Sequence, residues 1–233
     1  MFAPDEKEVG SGEAEGIWRE EAVLRRPLPK ALTVPPLWRR RRRAYGQTKD
    51  KQVRFCSLRP IGRNLIRNPC GQEGLRKWRA LHGGDGWVVE NNLVPVPGAP
   101  SQTCFVTSYG WCSKKQILNL EAEGLWPELL DSGKIDICVS DWWGVRHDCG
   151  GWYQLLVQLL DANKTVLDEF SATRSSIAHP KSMYFQVTHV FSNIKVGVRF
   201  VSFEHAGKDT LFWAGHYGTR MTNSSVTVRV SQP

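Results

Sequence analysis

From residue 55 onward the apolar positions recur mostly at every second residue. Ile135, Ile137 and Val139 alternate with Asp136, Cys138 and Ser140, and Tyr153, Leu155, Val157 and Leu159 alternate with Gln154, Leu156, Gln158 and Leu160. Phe185, Val187, His189 and Phe191 form another such face, and Val226, Val228 and Val230 alternate with Thr227 and Arg229. A period of two sends successive side chains to opposite faces, so each run predicts a β-strand. Segment 196–205 is apolar on both faces, which predicts a central strand. Further strands are predicted at 87–90, after the turn Gly84-Asp85-Gly86, at 103–109 and at 116–120. One short helix is predicted over 125–130. There Leu125/Leu129 and Trp126/Leu130 stand four apart, Pro127 suits a first turn and Gly133 can end the segment. Eight or more short strands joined by Gly-, Pro- and Asn-containing loops predict an all-β fold, an antiparallel β-sandwich of the jelly-roll or Greek-key kind. An α/β enzyme would need helices of about 10–15 residues between its strands, and the pattern contains none.

Residues 1–54 show neither period. They are rich in Glu, Arg and Gly and carry Pro4, Pro27, Pro29, Pro35 and Pro36, a composition that buries too little apolar surface to offset chain entropy. They are expected to form a disordered, basic N-terminal tail, with the folded domain running from 55 to 233. The net charge of +8 is uneven: residues 1–54 hold 13 Lys and Arg against 8 Asp and Glu. Five consecutive arginines, Arg39 to Arg43, allow two readings, a solvated charge run or a nuclear-import or nucleic-acid patch. No folded groove or aromatic platform stands beside them, so no nucleic-acid partner is expected. The chain has no apolar run of the ~18 residues a membrane helix needs, and its first thirty residues lack the apolar core of a secretory signal. A cytoplasmic location follows as the expectation, with the six cysteines present as thiols. None of them forms a C-x-x-C pair, and the six histidines are scattered, so neither a metal nor another cofactor is expected.

Nucleotide and hydrolase signatures are missing: there is no G-x-x-x-x-G-K-[ST], no G-x-G-x-x-G and no G-x-S-x-G. His147-Asp148-Cys149 joins an imidazole, an acid and a thiol, but adjacent side chains in such a turn point apart. A glycosidase would need two carboxylates facing one cleft, and Asp141, Asp148 and Glu204 are the nominees. The more informative feature is aromatic residues beside glycine at predicted strand ends. These are Tyr109-Gly110-Trp111, Trp142-Trp143-Gly144 and Phe212-Trp213-Ala214-Gly215-His216-Tyr217-Gly218. A flat ring next to a polar acceptor suits the C–H face and hydroxyls of a sugar. The same rings could equally plug the ends of the sandwich core.

At these residues the chain resembles the F-box-associated domain of the glycoprotein-recognising F-box-only proteins. The segments that carry the resemblance are Arg63-Asn64-Leu65-Ile66-Arg67-Asn68-Pro69-Cys70, Gly83-Gly84-Asp85-Gly86-Trp87, Leu125-Trp126-Pro127-Glu128-Leu129-Leu130-Asp131, Val139-Ser140-Asp141-Trp142-Trp143-Gly144, and Trp213-Ala214-Gly215-His216-Tyr217-Gly218 followed by Thr222-Asn223-Ser224-Ser225-Val226. They span nearly all of 55–231. The resemblance implies a galactose-binding-like sandwich that grips the inner chitobiose of N-linked high-mannose glycans with loops at one end. It further implies a non-enzymatic substrate receptor of an SCF-type (Skp1–cullin–F-box) ubiquitin ligase acting on misfolded glycoproteins. Carried over residue by residue, the implied glycan-binding positions are Tyr109, Asp148, Phe212, Trp213 and Ala214. Three of them depart from the family pattern. Phe212 stands for a Tyr and lacks its hydroxyl, Ala214 stands for a Lys and lacks a donor, and Tyr109 stands for a Phe. Glycan binding that is weaker or differently selective is therefore expected. The F-box itself, a helical segment of some forty residues beginning L-P-x-x-[LV], has no counterpart in 1–54 beyond the faint Leu28-Pro29-Lys30-Ala31-Leu32. The chain as written is thus expected not to bind Skp1. Two other readings stand beside this one: a protein-interaction sandwich that has lost the sugar, and a hydrolase using Asp148 with Glu204.

Overall fold

A computed structural model describes residues 45–177 and 181–231. In chain order the elements are α1 (Tyr45–Leu58), β1 (Arg79–Leu81), β2 (Val88–Asn91), β3 (Thr103–Val106), β4 (Cys112–Asn119), α2 (Pro127–Leu130), β5 (Ile135–Val145), β6 (Gly151–Leu160), β7 (Val166–Ser176), β8 (Met183–Phe191), β9 (Phe200–Asp209) and β10 (Arg220–Val230). Among the described residues, ten strands make two five-stranded sheets, ordered β1-β4-β9-β6-β7 and β2-β3-β10-β5-β8, and every strand pair is antiparallel. This is the expected all-β sandwich. The predicted short helix is α2, with Pro127 in its first turn. β9 is central in its sheet, as expected, but it is not apolar on both faces: Val201 and Phe203 point into the core while Glu204 and Lys208 face outward, and residues 196–199 precede the strand with Val196 exposed.

Helix α1 departs from the expectation of a structureless tail up to residue 54. After Gly46 its sequence has neither Gly nor Pro, and Gln47, Lys49, Lys51 and Gln52 are good helix formers. Few of its residues are apolar, so it shows no periodic stripe. Tertiary contact holds it instead: the Phe55 ring meets Trp126 edge-on at 5.2 Å, and Lys51 pairs with Glu128 at 3.0 Å. The expected F-box echo and the arginine run, all within residues 1–44, lie outside the described residues.

The two sheets enclose a core in which Phe105, Ile137, Val139, Leu155, Val157, Val201, Phe203, Val226 and Val228 are fully buried. The expectation of loop aromatics at Trp142-Trp143-Gly144 is corrected. Both tryptophans lie within β5, Trp142 is half-buried, and Trp143 is a core residue stacked on Tyr153 at 5.2 Å and 8°. The strand runs on through Gly144 because that residue lacks a side chain. A Cβ there would fall 2.2 Å from the Met183 carbonyl oxygen.

At the centre of this core sits a carboxylate. Asp141 of β5 accepts hydrogen bonds from Tyr153 Oη at 2.6 Å and Ser224 Oγ at 2.7 Å, and lies 2.6 Å from His205 Nδ1. Ser224 reaches it through a β-bulge. β10 advances five residues from Met221 to Val226 while β5 advances four from Trp143 to Val139, and Asn223 takes φ +51° to absorb the extra residue. Burial pushes the His205 imidazole below its ordinary range despite the neighbouring acid. The ring is therefore neutral, and its Nδ1–H is the donor to Asp141.

Directly across from His205 stands Lys114, also fully buried, with its amine 3.3 Å from the centre of the Trp78 ring and 3.6 Å from that of Phe105. Two ring faces and nearby Asp141 favour an ammonium, but the nitrogen has no hydrogen-bond partner. Desolvation wins and pushes its pKa well below the usual lysine range.

Two outcomes follow. Asp141→Ala strands the donors of Tyr153, His205 and Ser224 in the core and is expected to cost about 3–5 kcal/mol in denaturant-unfolding stability. His205 and Lys114 both hold fewer protons folded than unfolded, so stability must rise with pH. The His205 contribution is complete above about pH 6.5 and declines below it, while that of Lys114 continues to grow toward alkaline pH. Unfolding midpoints measured between pH 5.5 and 8 should increase, and Lys114→Met should flatten that slope and add roughly 1–3 kcal/mol at pH 7.

Candidate functional site

Four described connections meet at one end of the sandwich: residues 82–87, 107–111, 146–150 and 210–219. Two of them touch backbone to backbone. A Cβ on Gly83 would lie 2.3 Å from the Trp111 carbonyl oxygen, and one on Gly110 would lie 2.5 Å from Gly84 N, so only glycine permits the approach. Buried Ser108 then ties three connections together. Its hydroxyl accepts from Asp85 N at 3.0 Å and donates to the Gly215 carbonyl at 2.7 Å. The Asp85 carboxylate in turn accepts from Gly215 N at 2.6 Å. Asp209, the last residue of β9, accepts from the amides of Phe212 at 2.7 Å and Trp213 at 3.2 Å. These bonds turn the aromatic loop into a fixed platform and let Phe212 occupy φ +58°.

The side chains on this platform form two connected groups. The Tyr109 ring meets Phe212 edge-on at 5.1 Å, and Phe212 is 76 % exposed. Trp213, 49 % exposed, meets Tyr217 edge-on at 5.8 Å. The Arg146 guanidinium covers the Tyr217 ring at 4.5 Å and forms a two-pronged pair with Asp148, Nε to Oδ1 at 2.5 Å and Nη2 to Oδ2 at 2.6 Å. Asp148 thus reaches Trp213 through Arg146 and Tyr217 rather than by touching it. Ala214 is exposed on the same loop and offers only a methyl group.

Arg146 also sets the charge of Asp148. The paired guanidinium holds this carboxyl well below the usual carboxylate range, so it is ionised throughout physiological pH. Asp148 also accepts from its own backbone N–H and from the Cys149 thiol, so a ligand hydroxyl would have to share an oxygen already engaged. The aromatic faces with one fixed acceptor can hold a ring-shaped, hydroxyl-bearing ligand.

Other sequence nominees lie elsewhere. Asp141 is in the core, and Glu204 pairs with Lys115 at 3.3 Å on the outward face of its sheet, so neither shares a surface with Asp148. His147 is exposed and Cys149 buried, with Asp148 turned to Arg146, so these three neighbours form no nucleophilic array. Among the described residues, no group of three or more His, Cys, Asp or Glu could hold a metal ion, and no helix is long and apolar enough to cross a membrane. Sequence reasoning missed Arg146, Asp209, Ser108 and Asp85. The i, i+2 spacing of Arg146 and Asp148, and the acid just before the aromatic loop, were the available signals.

The model of the F-box associated region matches residues 56–228. F-box only protein 27 of Mus musculus is 67 % identical over 190 residues, covering 81 % of this chain and 68 % of the relative. F-box only protein 27 of Homo sapiens is 75 % identical over 142 residues, 60 % of this chain and 50 % of the relative. F-box only protein 17 of Homo sapiens is 54 % identical over 179 residues, 76 % and 64 % respectively. The chain spans between half and about two thirds of the length of these relatives. The matched region coincides with the described sandwich and the loops that end it, and the chain belongs to the F-box-associated family.

Proposed function

We propose that the sandwich is a non-enzymatic glycoprotein-recognition module that binds the inner sugars of N-linked high-mannose glycans at Tyr109, Asp148, Phe212, Trp213 and Ala214. The observation that carries this reading is the exposed Phe212–Trp213 pair, held rigid by Asp209 beside Tyr109 and connected to an ionised acceptor, Asp148. Rings fixed before binding lose little entropy on meeting a sugar. In the cell the module would serve as the substrate receptor of an SCF-type ubiquitin ligase. It would act in the cytoplasm on misfolded glycoproteins returned by endoplasmic-reticulum quality control (ERAD). Contact with Skp1 and the cullin would need an F-box, for which residues 1–54 hold no recognisable counterpart. The missing donors at Phe212 and Ala214 favour a second reading, a protein-interaction sandwich without sugar affinity.

Titration calorimetry with N,N′-diacetylchitobiose separates the two. Trp213→Ala should remove stacking worth about 1–3 kcal/mol, a loss of roughly ten- to over a hundredfold in affinity, with the melting curve unchanged. Asp148→Asn should weaken binding less, because the amide oxygen still accepts. Phe212→Tyr combined with Ala214→Lys should tighten binding by supplying a hydroxyl and an ammonium. No chitobiose binding by the unaltered, folded protein, with Trp213→Ala costing stability instead, would establish the second reading.

A further inference from the structure

The loop platform leaves two exposed tryptophans without a role. Trp111 and Trp152 are 42 % and 40 % exposed. Trp152 projects from the outer face of β6 and stands opposite Lys208 of β9 in the strand register. Lys208 Nζ lies 5.3 Å from the centre of the Trp111 ring, just before β4. Two indoles therefore flank one ammonium at the rim of the β1-β4-β9-β6-β7 sheet.

Behind this rim the register sets out the next rung as Ser113, Ala206, Gln154 and Thr173, and the one after as Lys115, Glu204, Leu156 and Ser171. Short side chains at Ala206 and Ser171 leave a shallow groove of about 330 Å³, walled by Gln154, Leu156, Thr173 and Glu204. Among the described residues, the side chains of Gln154, Ser171 and Thr173 make no hydrogen bond within the protein.

The chemistry of this surface selects its occupant. β6 and β9 are each paired on both sides, so no backbone groups are free for an extended peptide to add as a strand. Lys115 and Glu204 pair with each other, which leaves no basic track for a nucleic acid. Flat indoles with an unpaired amide and hydroxyls suit a neutral, polyhydroxylated chain. The rim also adjoins the loop platform along the chain, since Lys208 directly precedes Asp209 and Trp111 is two residues from Tyr109.

We propose that the outer face of β4, β9, β6 and β7, entered between Trp111 and Trp152, is a second subsite for the outer sugars of an oligosaccharide whose innermost pair sits at Trp213. This rests on the glycan-binding reading above. Calorimetry on the full chain compares N,N′-diacetylchitobiose with a high-mannose oligosaccharide containing that disaccharide. The longer ligand should bind about tenfold tighter, one aromatic stack's worth. Trp152→Ala and Ala206→Trp, which fills the groove, should each abolish that gain and leave the disaccharide affinity and melting temperature unchanged. Equal affinity for the two ligands, or a gain that survives both substitutions, overturns the second subsite while the loop reading stands. Long-ligand binding that is lost in Trp152→Ala but kept in Trp213→Ala, with no disaccharide binding, supports a sugar site on this face and removes the loop reading. Absence of binding by either ligand overturns both.

Discussion

The Asp141 carboxylate lies between the two sheets and is bonded to both, to Ser224 beside it in its own sheet and to Tyr153 and His205 in the facing one. Apolar packing is non-directional and would by itself leave two stacked sheets free to settle in several alignments. Short bonds to one buried carboxylate are directional and expensive to leave unmade. They fix how β5 stands over β6 and β9, and the bulge at Asn223 exists in the geometry that lets Ser224 join them. The network also explains why the core tolerates a neutral His205. The imidazole stacks on Trp78 at 5.2 Å and 14°, and Asp141 accepts its one N–H.

That alignment propagates to the loops. β5 leads into Arg146 and Asp148, β9 leads into Asp209 and the aromatic loop, and β10 returns from it through Thr219, whose hydroxyl donates to the Trp152 carbonyl at 2.7 Å. The acceptor and the aromatic faces of the platform therefore stand on strands tied to the same buried carboxylate. Their relative position is a property of the core as much as of the loops. The loops add local order through Asp209, Ser108 and Asp85. The result is a surface strong in flat rings and thin in polar donors, since Phe212 and Ala214 contribute none.

Much of the fold was legible in the order of residues. The alternation that marked β5, β6, β8 and β10 is a direct consequence of strand geometry, and α2 announced itself through Pro127 and its four-apart leucine and tryptophan pairs. Of the platform, Tyr109, Phe212 and Trp213 were visible as aromatics beside glycine, and the structure brings Tyr109 and Phe212 into contact. The same signal misassigned Trp142 and Trp143, because an aromatic beside glycine looks alike at a loop tip and inside a strand. What separates them is Gly144 facing the Met183 backbone, a partner nearly forty residues away.

The sequence by itself determined the periodicity, and with it the all-β class, the one short helix and the family resemblance, because each depends on residues that are neighbours along the chain. Tertiary structure alone decided the inward turn of Lys114, the meeting of Asp141 with His205 and Ser224, the anchoring of α1 by Phe55 on Trp126, and the route from Asp148 through Arg146 and Tyr217 to Trp213. In each of these, the energy of a side chain is set by what covers it. Covering groups arrive from strands and loops far away in sequence, so no local pattern records them.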